Sequence, residues 1–436
     1  MSRKKCRTHK SNEVLMKNSG EVKVEAVASA GTSFETTPIS KDTSIWSKFR
    51  FDRVELAGSF GDLGTLLPIV VGMILINKLS PTTVFLSFGL FYLITAFYFR
   101  LPIPVQPLKA VGAIAIAFPG QITESVIGAS GVIFGALLLL FYLTGFVDKL
   151  AKLFTQPVVR GIQLALGLIF LRKGIELIVD KNMFLSGVVG RFPDSSVNLI
   201  LGVIVFALVL GLLDNKKLPA AIAAVGVGII AGLAFGGLGD RSFHLGPTKI
   251  SVMSFSLNDL WIAFIMLILP QIPLTIGNAC VGTADTCSML FPNDPQLSKT
   301  TAGKFALTMG IANFPTGFFG GVPMCHGTGG LAAHYRFGAR TGGAPLMIGA
   351  IFVVMALAFG DAGFTFLTLL PNSVLGVLLI FAGLELCPLI RSLKANEEYF
   401  VALLISGIAL AVPNMAWAFG IGIVVDVFIR KAKIKI

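Results

Sequence analysis

The sequence predicts an all-α protein that crosses a membrane many times, with about fourteen transmembrane segments in two inverted repeats of seven. Three observations predict this fold: an apolar composition, the spacing of the apolar segments, and two matching segments broken by proline and glycine. Of the 436 residues, 54% are hydrophobic and only 13% charged, with a mean hydropathy of +0.82. Soluble domains carry about 25% charged residues, so we expect most of the chain to lie in lipid.

The apolar segments follow one another from residue 54 onward. Their approximate bounds are 54–77, 81–99, 105–118, 127–147, 157–179, 197–213, 218–236, 260–281, 300–318, 324–335, 342–359, 372–387, 398–411 and 415–431. A helix needs about 20 apolar residues to span a bilayer, and the third and tenth segments are too short. The predicted divisions are a disordered cytosolic tail at 1–48, a first repeat at 49–240, a second repeat at 241–431 and a basic cytosolic tail at 432–436.

The net charge of +12 does not require a nucleic-acid partner, because basic loops orient membrane spans. With the N-terminus in the cytoplasm, twelve loop Lys and Arg residues fall inside and seven outside. Both basic tails also fall inside. The sequence thus predicts a multi-pass protein of the plasma membrane, the vacuole or another endomembrane, with cytosolic termini. The first 48 residues lack the apolar stretch of a cleaved signal peptide.

The two short segments share one pattern, extended chain followed by a half-helix. The third begins LPIPVQPLKAVGAIAIA at Leu101, and its three prolines exclude a helix interior. We expect its half-helix to have Pro107 in the first turn. The tenth reads FFGGVPMCHGTGGLAAHY, where Pro323 ends the extended part. Broken segments at matching positions of two halves are typical of the binding site of a secondary transporter.

A half-helix start exposes unpaired backbone N–H groups and about half a positive charge. Two such ends facing each other favour an anion with several oxygens. At the start of the second half-helix, Gly327, Thr328, Gly329 and Gly330 would let the backbone approach such a guest. The glycine pair 342–343 stands at a span end, where tight helix packing is the better interpretation.

Several polar side chains accompany the broken segments. Lys109 either adds positive charge to an anion cavity or reaches to the membrane surface. Gln106 and Gln271 offer donors and an acceptor each. Thr275 and Asn278 would share a helical face with Gln271, either as a cavity wall or as a contact between helices.

Moving a dianion into an electrically negative cell interior needs a coupling ion. Two residues are candidates to carry a coupled proton. Asp62 could carry the proton, cap a helix or pair with Lys109. His326 titrates near neutrality and could carry it instead, or pack as a neutral imidazole. The adjacent Cys325 and His326 make a poor metal site without a CxxC or HxxH pattern, so we expect no metal and no cofactor.

At these residues the chain resembles a known family. The stretches ELAGSFGDLGTLLPIVVG, PIPVQPLKAVGAIAIA, RGIQLALGL, LPQIPLTIGNA, PMCHGTGGLAAHYRFGARTGGAP and LLIFAGLEL are similar to those of the molybdate transporter family, which is related to the SulP sulfate permeases. The resemblance implies a core domain (segments 1–4 and 8–11) moving against a gate domain (5–7 and 12–14), with substrate between the third and tenth segments. It implies molybdate as substrate, with sulfate as the related anion.

The resemblance also carries over to individual positions of the core domain. These are Asp62, Gln106, Lys109, Gln271, Asn278, Cys325, His326, Gly327 and Gly330. One position departs from the pattern, because we expect glutamine where this chain has His334.

The combined expectation is a molybdate importer that works by alternating access, is coupled to protons and could form a homodimer. A sulfate permease and an anion channel of the same fold are the alternatives. An oxyanion receptor would bind without transport. An enzyme is not expected, because the sequence shows no nucleophile–base set and no GxxxxGK[ST] phosphate loop.

Overall fold

The computed structural model of the protein describes residues 49–185, 195–213, 215, 219–235, 245–412, 415–432 and 434. The predicted tail 1–48, most of the tail 432–436 and the predicted repeat boundary at 240–241 lie outside these residues.

The described chain is mainly helical. In the first half the helices are α1 Arg53–Ser59, α2 Leu63–Ile76, α3 Pro81–Phe99, α4 Lys109–Ala117, α5 Glu124–Thr144, α6 Phe146–Leu153, α7 Gln156–Ile178, α8 Ser195–Leu212 and α9 Ala220–Phe235. In the second half they are α10 Leu257–Leu290, α11 Ala302–Phe318, α12 Thr328–Arg336, α13 Gly343–Thr368, α14 Asn372–Leu386, α15 Asn396–Ala411 and α16 Met415–Ala432. Short 3-10 helices span Pro295–Lys299 and Cys387–Ser392.

Five helical stretches of the described residues are long and apolar enough to cross a membrane. They are α3, α5, α10, the first 18 residues of α13, and α14 with its 3-10 extension. A sixth span results if α1 and α2, bent by 46° at their junction, count as one. The protein is therefore an integral membrane protein, and the number fourteen stays a prediction.

The prediction of an all-α fold is wrong at one place. Gln106–Pro107 and Met324–Cys325 form two short antiparallel strands, β1 and β2, with Gln106 opposite Cys325 and Pro107 opposite Met324. Pro107 therefore lies in a strand, and the half-helix α4 begins two residues later, at Lys109. The proline-rich chain is extended as predicted, but buried extended backbone needs partners, and each strand supplies them to the other.

The long helix α10 is continuous although it contains two prolines. It continues through Pro270 and Pro273, with π-helical turns at Ala263–Ile268 and Thr275–Gly282. A proline removes one backbone donor and crowds the preceding turn, and π turns absorb such irregularities within a helix. The first span is broken at Phe60–Asp62, whereas its Pro68 lies inside α2.

The helices pack in two groups. In one, α3 packs along α13 and α5 along α11. In the other, α7 packs along both α14 and α15, and α14 also contacts α8. The first group matches the predicted core segments and the second the predicted gate segments. The two groups meet where α4 contacts α7 and α2 contacts α14.

Glycines set the spacing of α7 and α14. A Cβ on Gly174 would lie 2.5 Å from the carbonyl oxygen of Gly376, and the reverse distance is also 2.5 Å. Seven residues away on each helix, Gly167 and Gly383 meet in the same way, with the corresponding distances at 2.9 and 2.6 Å. Such contacts bring helix backbones close together in lipid, so α7 and α14 form one tightly packed unit.

A buried carboxylate ties α1 to the loop that follows α12. Glu55 is fully buried. It accepts hydrogen bonds from the Arg340 amide at 3.0 Å and from the Thr341 amide and hydroxyl at 2.8 and 3.0 Å. A Cβ on Gly343 would lie 1.9 Å from the carbonyl oxygen of Arg50, which agrees with the packing interpretation of this glycine. These contacts fix the base of α12 against the first span.

Replacing Glu55 by alanine should destabilise the protein by about 3 kcal/mol, because buried amides of the 340–341 loop lose a charged acceptor. Thermal unfolding of the purified protein in detergent would measure this. Glu176→Ala is the control, since Glu176 makes only exposed ion pairs with Arg172 and Lys173 that are worth under about 1 kcal/mol. Equal stability of the two variants would contradict a structural role for Glu55.

Candidate functional site

Strand pairing sets where the two half-helices begin. Helix α4 starts two residues after β1 and α12 starts three residues after β2. The Leu108 amide donates to the Pro323 carbonyl at 2.8 Å and continues the pairing. On the other side of β2, the Asn313 side chain accepts from the Met324 amide at 2.6 Å and donates to its carbonyl at 2.7 Å. Both half-helices thus leave one fixed pair of strands.

The polar face of α10 contacts the start of each half-helix. Gln271 accepts a hydrogen bond from the Ala110 amide in the first turn of α4 at 2.9 Å, and donates to Thr275 at 2.9 Å. Asn278 accepts from the Thr328 hydroxyl, the first residue of α12, at 2.8 Å. Seven helical residues span about 10 Å, so α10 brings the two starts within that distance along its axis.

Asp62 and Gln106 form a buried pair against α12. The Gln106 amide nitrogen donates to both carboxylate oxygens of Asp62, at 2.7 and 2.8 Å. A Cβ on Gly327 would lie 2.2 Å from the Gln106 amide oxygen, and one on Gly330 would lie 2.6 Å from the Asp62 carboxylate. Because these two glycines have no side chain, the Asp62–Gln106 pair can occupy the space beside the first turn of α12.

Two of the three roles predicted for Asp62, capping a helix and pairing with Lys109, are not seen among the contacts of the described residues. Its side chain makes no capping bond to α2. Among the ion pairs of the described residues, none joins it to Lys109. Lys109 nevertheless lies close enough for its charge to act on both Asp62 and Glu385.

A small cavity lies where the core helices meet the gate helices. It is lined by Lys109, Gln163, Leu166, Gln271, Leu274, Asn278, Ala279, Cys325 and Leu386. Four predicted site residues thus come together here: Lys109, Gln271, Asn278 and Cys325. Thr275 supports the wall through its bond to Gln271. The core supplies the polar wall, and α7 and α14 close the cavity from the other side.

The cavity has a volume of about 10 Å³, which is about the least that a single water molecule needs. In this conformation it does not hold a tetrahedral oxyanion, which is larger than a water molecule.

The remaining glycine and threonine of the predicted site differ in environment. Gly329 is exposed, and a Cβ there would meet nothing within 4 Å. Thr328 is half-buried and bonded to Asn278. The first turn of α12 has no side-chain cap.

His326 lies away from the cavity. Its Nδ1 is 2.9 Å from the Pro104 carbonyl oxygen and its Nε2 is 3.0 Å from the Thr308 hydroxyl. The rings of Phe91, Phe99 and Phe305 surround it at 5.0 to 5.6 Å. Because a carbonyl oxygen only accepts, Nδ1 carries the proton, so this geometry matches a neutral packing histidine.

His334 likewise directs its Nδ1 to a carbonyl of the extended chain before α4. It is fully buried, and its Nδ1 lies 2.9 Å from the Pro102 carbonyl oxygen. An imidazole N–H donates to a carbonyl as a glutamine amide would. His334 does not line the cavity, and its Nε2 has no hydrogen-bond partner among the described residues.

The sequence analysis missed two gate residues near the site. Gln163 lines the cavity from α7, and it stands out as a polar residue in the apolar run of RGIQLALGL. Glu385 of α14 accepts a hydrogen bond from Thr65 of α2 at 2.8 Å across the boundary between the two groups of helices. A carboxylate late in an apolar span was the available signal for Glu385.

Within the described residues, no group of three or more His, Cys, Asp or Glu side chains is placed to hold a metal ion. The cavity instead offers a cation, amide donors and a thiol, which is the donor set of an anion site.

Comparisons with known proteins identify the family of the chain. The family model described as "Molybdate transporter of MFS superfamily" matches residues 54–170 and 263–386. Molybdate transporter 2 of Arabidopsis thaliana is 30% identical over 412 residues, which cover 86% of this chain and 87% of that protein. Molybdate transporter 1 of the same plant is 29% identical, covering 89% and 92%. These relatives are named as transporters, not enzymes, as the sequence predicts.

Two solved structures share the fold. The transmembrane domain of the cyanobacterial bicarbonate transporter BicA matches with a TM-score of 0.61 and 15% identity, covering 86% of this chain and 97% of that one. The anion transporter Slc26a9 of mouse, in an inward-facing state, matches with a TM-score of 0.62 and 16% identity, covering 89% and 70%. The family model spans both broken segments and all nine residues that line the cavity, and the relatives bear the same name: this chain belongs to the molybdate transporter family.

Proposed function

We propose that this protein imports molybdate across its membrane by alternating access, coupled to protons. The observation that carries the proposal is the cavity lined by Lys109 of α4 and by Gln271 and Asn278 of α10, two side chains that bond to the first turns of α4 and α12. The names of its relatives support molybdate as the substrate. Geometry alone does not separate molybdate from sulfate, because both are tetrahedral dianions.

A charge balance supports the coupling to protons. Lys109 contributes one positive charge and the two helix starts about half a charge each, which together offset the two charges of molybdate. Asp62 and Glu385 then remain nearby as carboxylates without a compensating positive charge, and a proton would neutralise Asp62, the one bonded to Gln106 beside α12. We assign the proton to Asp62 rather than His326, since both ring nitrogens of His326 are occupied away from the cavity.

The closed cavity favours a carrier over the alternative of an anion channel. Leu166, Leu274 and Leu386 help to enclose it, and it has no room for an oxyanion without domain movement. In the proposed cycle, α1–α5 and α10–α13 move as the core against α7–α9 and α14–α16. The Glu385–Thr65 bond joins these two bodies and would break when they separate.

Helix packing supports the proposal of two seven-segment inverted repeats. Counting spans in the predicted order, α3 and α13 are segments two and eleven, while α5 and α11 are segments four and nine. Exchanging the repeats turns each pair into the other, and both pairs pack extensively. The β1–β2 pair maps onto itself, as a two-fold axis through the site requires. We keep cytosolic termini, a plasma-membrane or endomembrane location and a possible homodimer as parts of the proposal.

Cells expressing the protein should take up trace molybdate with saturation, and a large excess of sulfate should leave most of that uptake intact. The measurement is uptake with and without sulfate, against cells lacking the protein. Loss of uptake under sulfate would favour the alternative of a general sulfate permease and leave the site assignment standing. Linear, unsaturable uptake would favour a channel.

Lys109→Met should weaken molybdate uptake at least about tenfold in half-saturating concentration, because a charge-assisted contact to the anion is lost. Methionine keeps the length of the side chain in the cavity wall. Lys149→Met is the matched control, since Lys149 is exposed on α6. If Lys109→Met keeps the wild-type half-saturation, the lysine does not contact substrate.

Asp62→Asn should abolish the dependence of uptake on an imposed pH gradient. The amide keeps an acceptor for Gln106, so the fold should be preserved while the titratable group is gone. The experiment is uptake into proteoliposomes with an acidic exterior, with Asp148→Asn as control because Asp148 is exposed on α6. Gradient-driven uptake by Asp62→Asn equal to that of wild type would rule out Asp62 as the proton carrier.

A further inference from the structure

The gate side of the cavity presents one polar group among apolar ones. Gln163 of α7 is 4% exposed and lines the cavity together with Leu166 and Leu386. Across from it stand Lys109 and Gln271 of the core. A buried amide in a membrane protein is costly unless it is hydrogen-bonded. The orientation of the Gln163 amide therefore indicates which group it is placed to bond.

Arg160 fixes that orientation. Its Nη1 donates to Gln163 Oε1 at 2.9 Å, one turn earlier on the same helix. Its Nε donates to the Ser392 hydroxyl at 2.8 Å, which ties it to the 3-10 turn after α14. Arginine has donors only, so it must hold the amide oxygen of Gln163. The amide NH₂ group is then left over, and among the described residues it has no hydrogen-bond partner.

We propose, building on the transport function above, that the Gln163 amide is the gate's hydrogen-bond donor to the bound oxyanion. The dianion would then bridge the two domains, with Lys109 on the core and Gln163 on the gate. Arg160 acts as a positioning residue that presents the NH₂ group to the cavity. Without a substrate oxygen opposite it, this donor has no partner among the described residues, and the proposed contact supplies one.

The bridging contact has a consequence for binding that a purely structural glutamine would not have. Removing the donor should weaken oxyanion affinity itself. Replacing it by a carboxylate should make the affinity depend on pH in a new way, because an ionised carboxylate repels a dianion whereas a neutral carboxyl group donates an O–H.

The test is calorimetric titration of the purified full-length protein with molybdate alone. Gln163→Leu should bind about tenfold more weakly, the loss expected for one hydrogen bond to a charged group. Gln163→Glu should bind more weakly still at about pH 8, and regain affinity relative to wild type as the pH falls toward about 6. Gln156→Leu, an exposed position at the start of the same helix, should bind as wild type does.

Arg160→Met should reproduce part of the loss, because the Gln163 amide becomes free to rotate. In the double variant Arg160→Met with Gln163→Leu, the arginine change should add little. Additive losses would instead mean that Arg160 attracts the anion directly and would overturn its positioning role.

The outcomes separate this inference from the proposed function. If the wild-type protein does not bind molybdate, the proposed function fails. If wild type binds and Gln163→Leu binds equally well, the gate contact is wrong while transport stands. If Gln163→Leu does not fold, Gln163→Glu decides, and a pH profile parallel to that of wild type overturns the proposal.

Discussion

Non-helical backbone inside a membrane must find a partner for every amide and carbonyl, and the rest of this structure depends on how that requirement is met. Pro102, Pro104 and Pro107 restrict the chain before α4 to an extended form, and Pro323 restricts the chain before β2 and α12 in the same way. The two stretches satisfy one another through β1 and β2. The remaining groups are met by side chains brought from elsewhere, with Asn313 on Met324 and the two buried histidines on the carbonyls of Pro102 and Pro104.

This arrangement frees the two helix starts for chemistry. Because side chains rather than water stabilise the extended backbone, the first turns of α4 and α12 can lie in a dry region with donors to spare. Helix α10 then links the two helix starts through Gln271 and Asn278. Its π turns keep this proline-containing helix continuous. The gate closes over this polar wall mostly with leucine side chains, which exclude water from the site.

The sequence predicted the parts of this site that local chemistry determines. Three prolines in seven residues could only be extended, and the glycines around residue 327 indicated close backbone approach. The pairing of the two strands is a contact between positions more than 200 residues apart, and no local pattern encodes it. The same limit explains His326, whose aromatic surroundings come from two different helices. It also explains Gln163, whose position on the cavity opposite the core depends on how the gate meets the core. The Asp62–Gln106 pair also joins separate elements, so the sequence showed both residues but not their bond.

The contact of Gly327 and Gly330 with the Gln106–Asp62 pair restricts how this protein can change during evolution. Any side chain at either glycine would overlap the amide or the carboxylate, so single substitutions there damage the site before they can alter it. On the opposite wall, Leu166 and Leu386 contribute size and shape without hydrogen bonds, and they can be exchanged one at a time. A lineage that adapts to a smaller or larger anion would therefore accumulate its substitutions on the gate, while the core wall stays as it is.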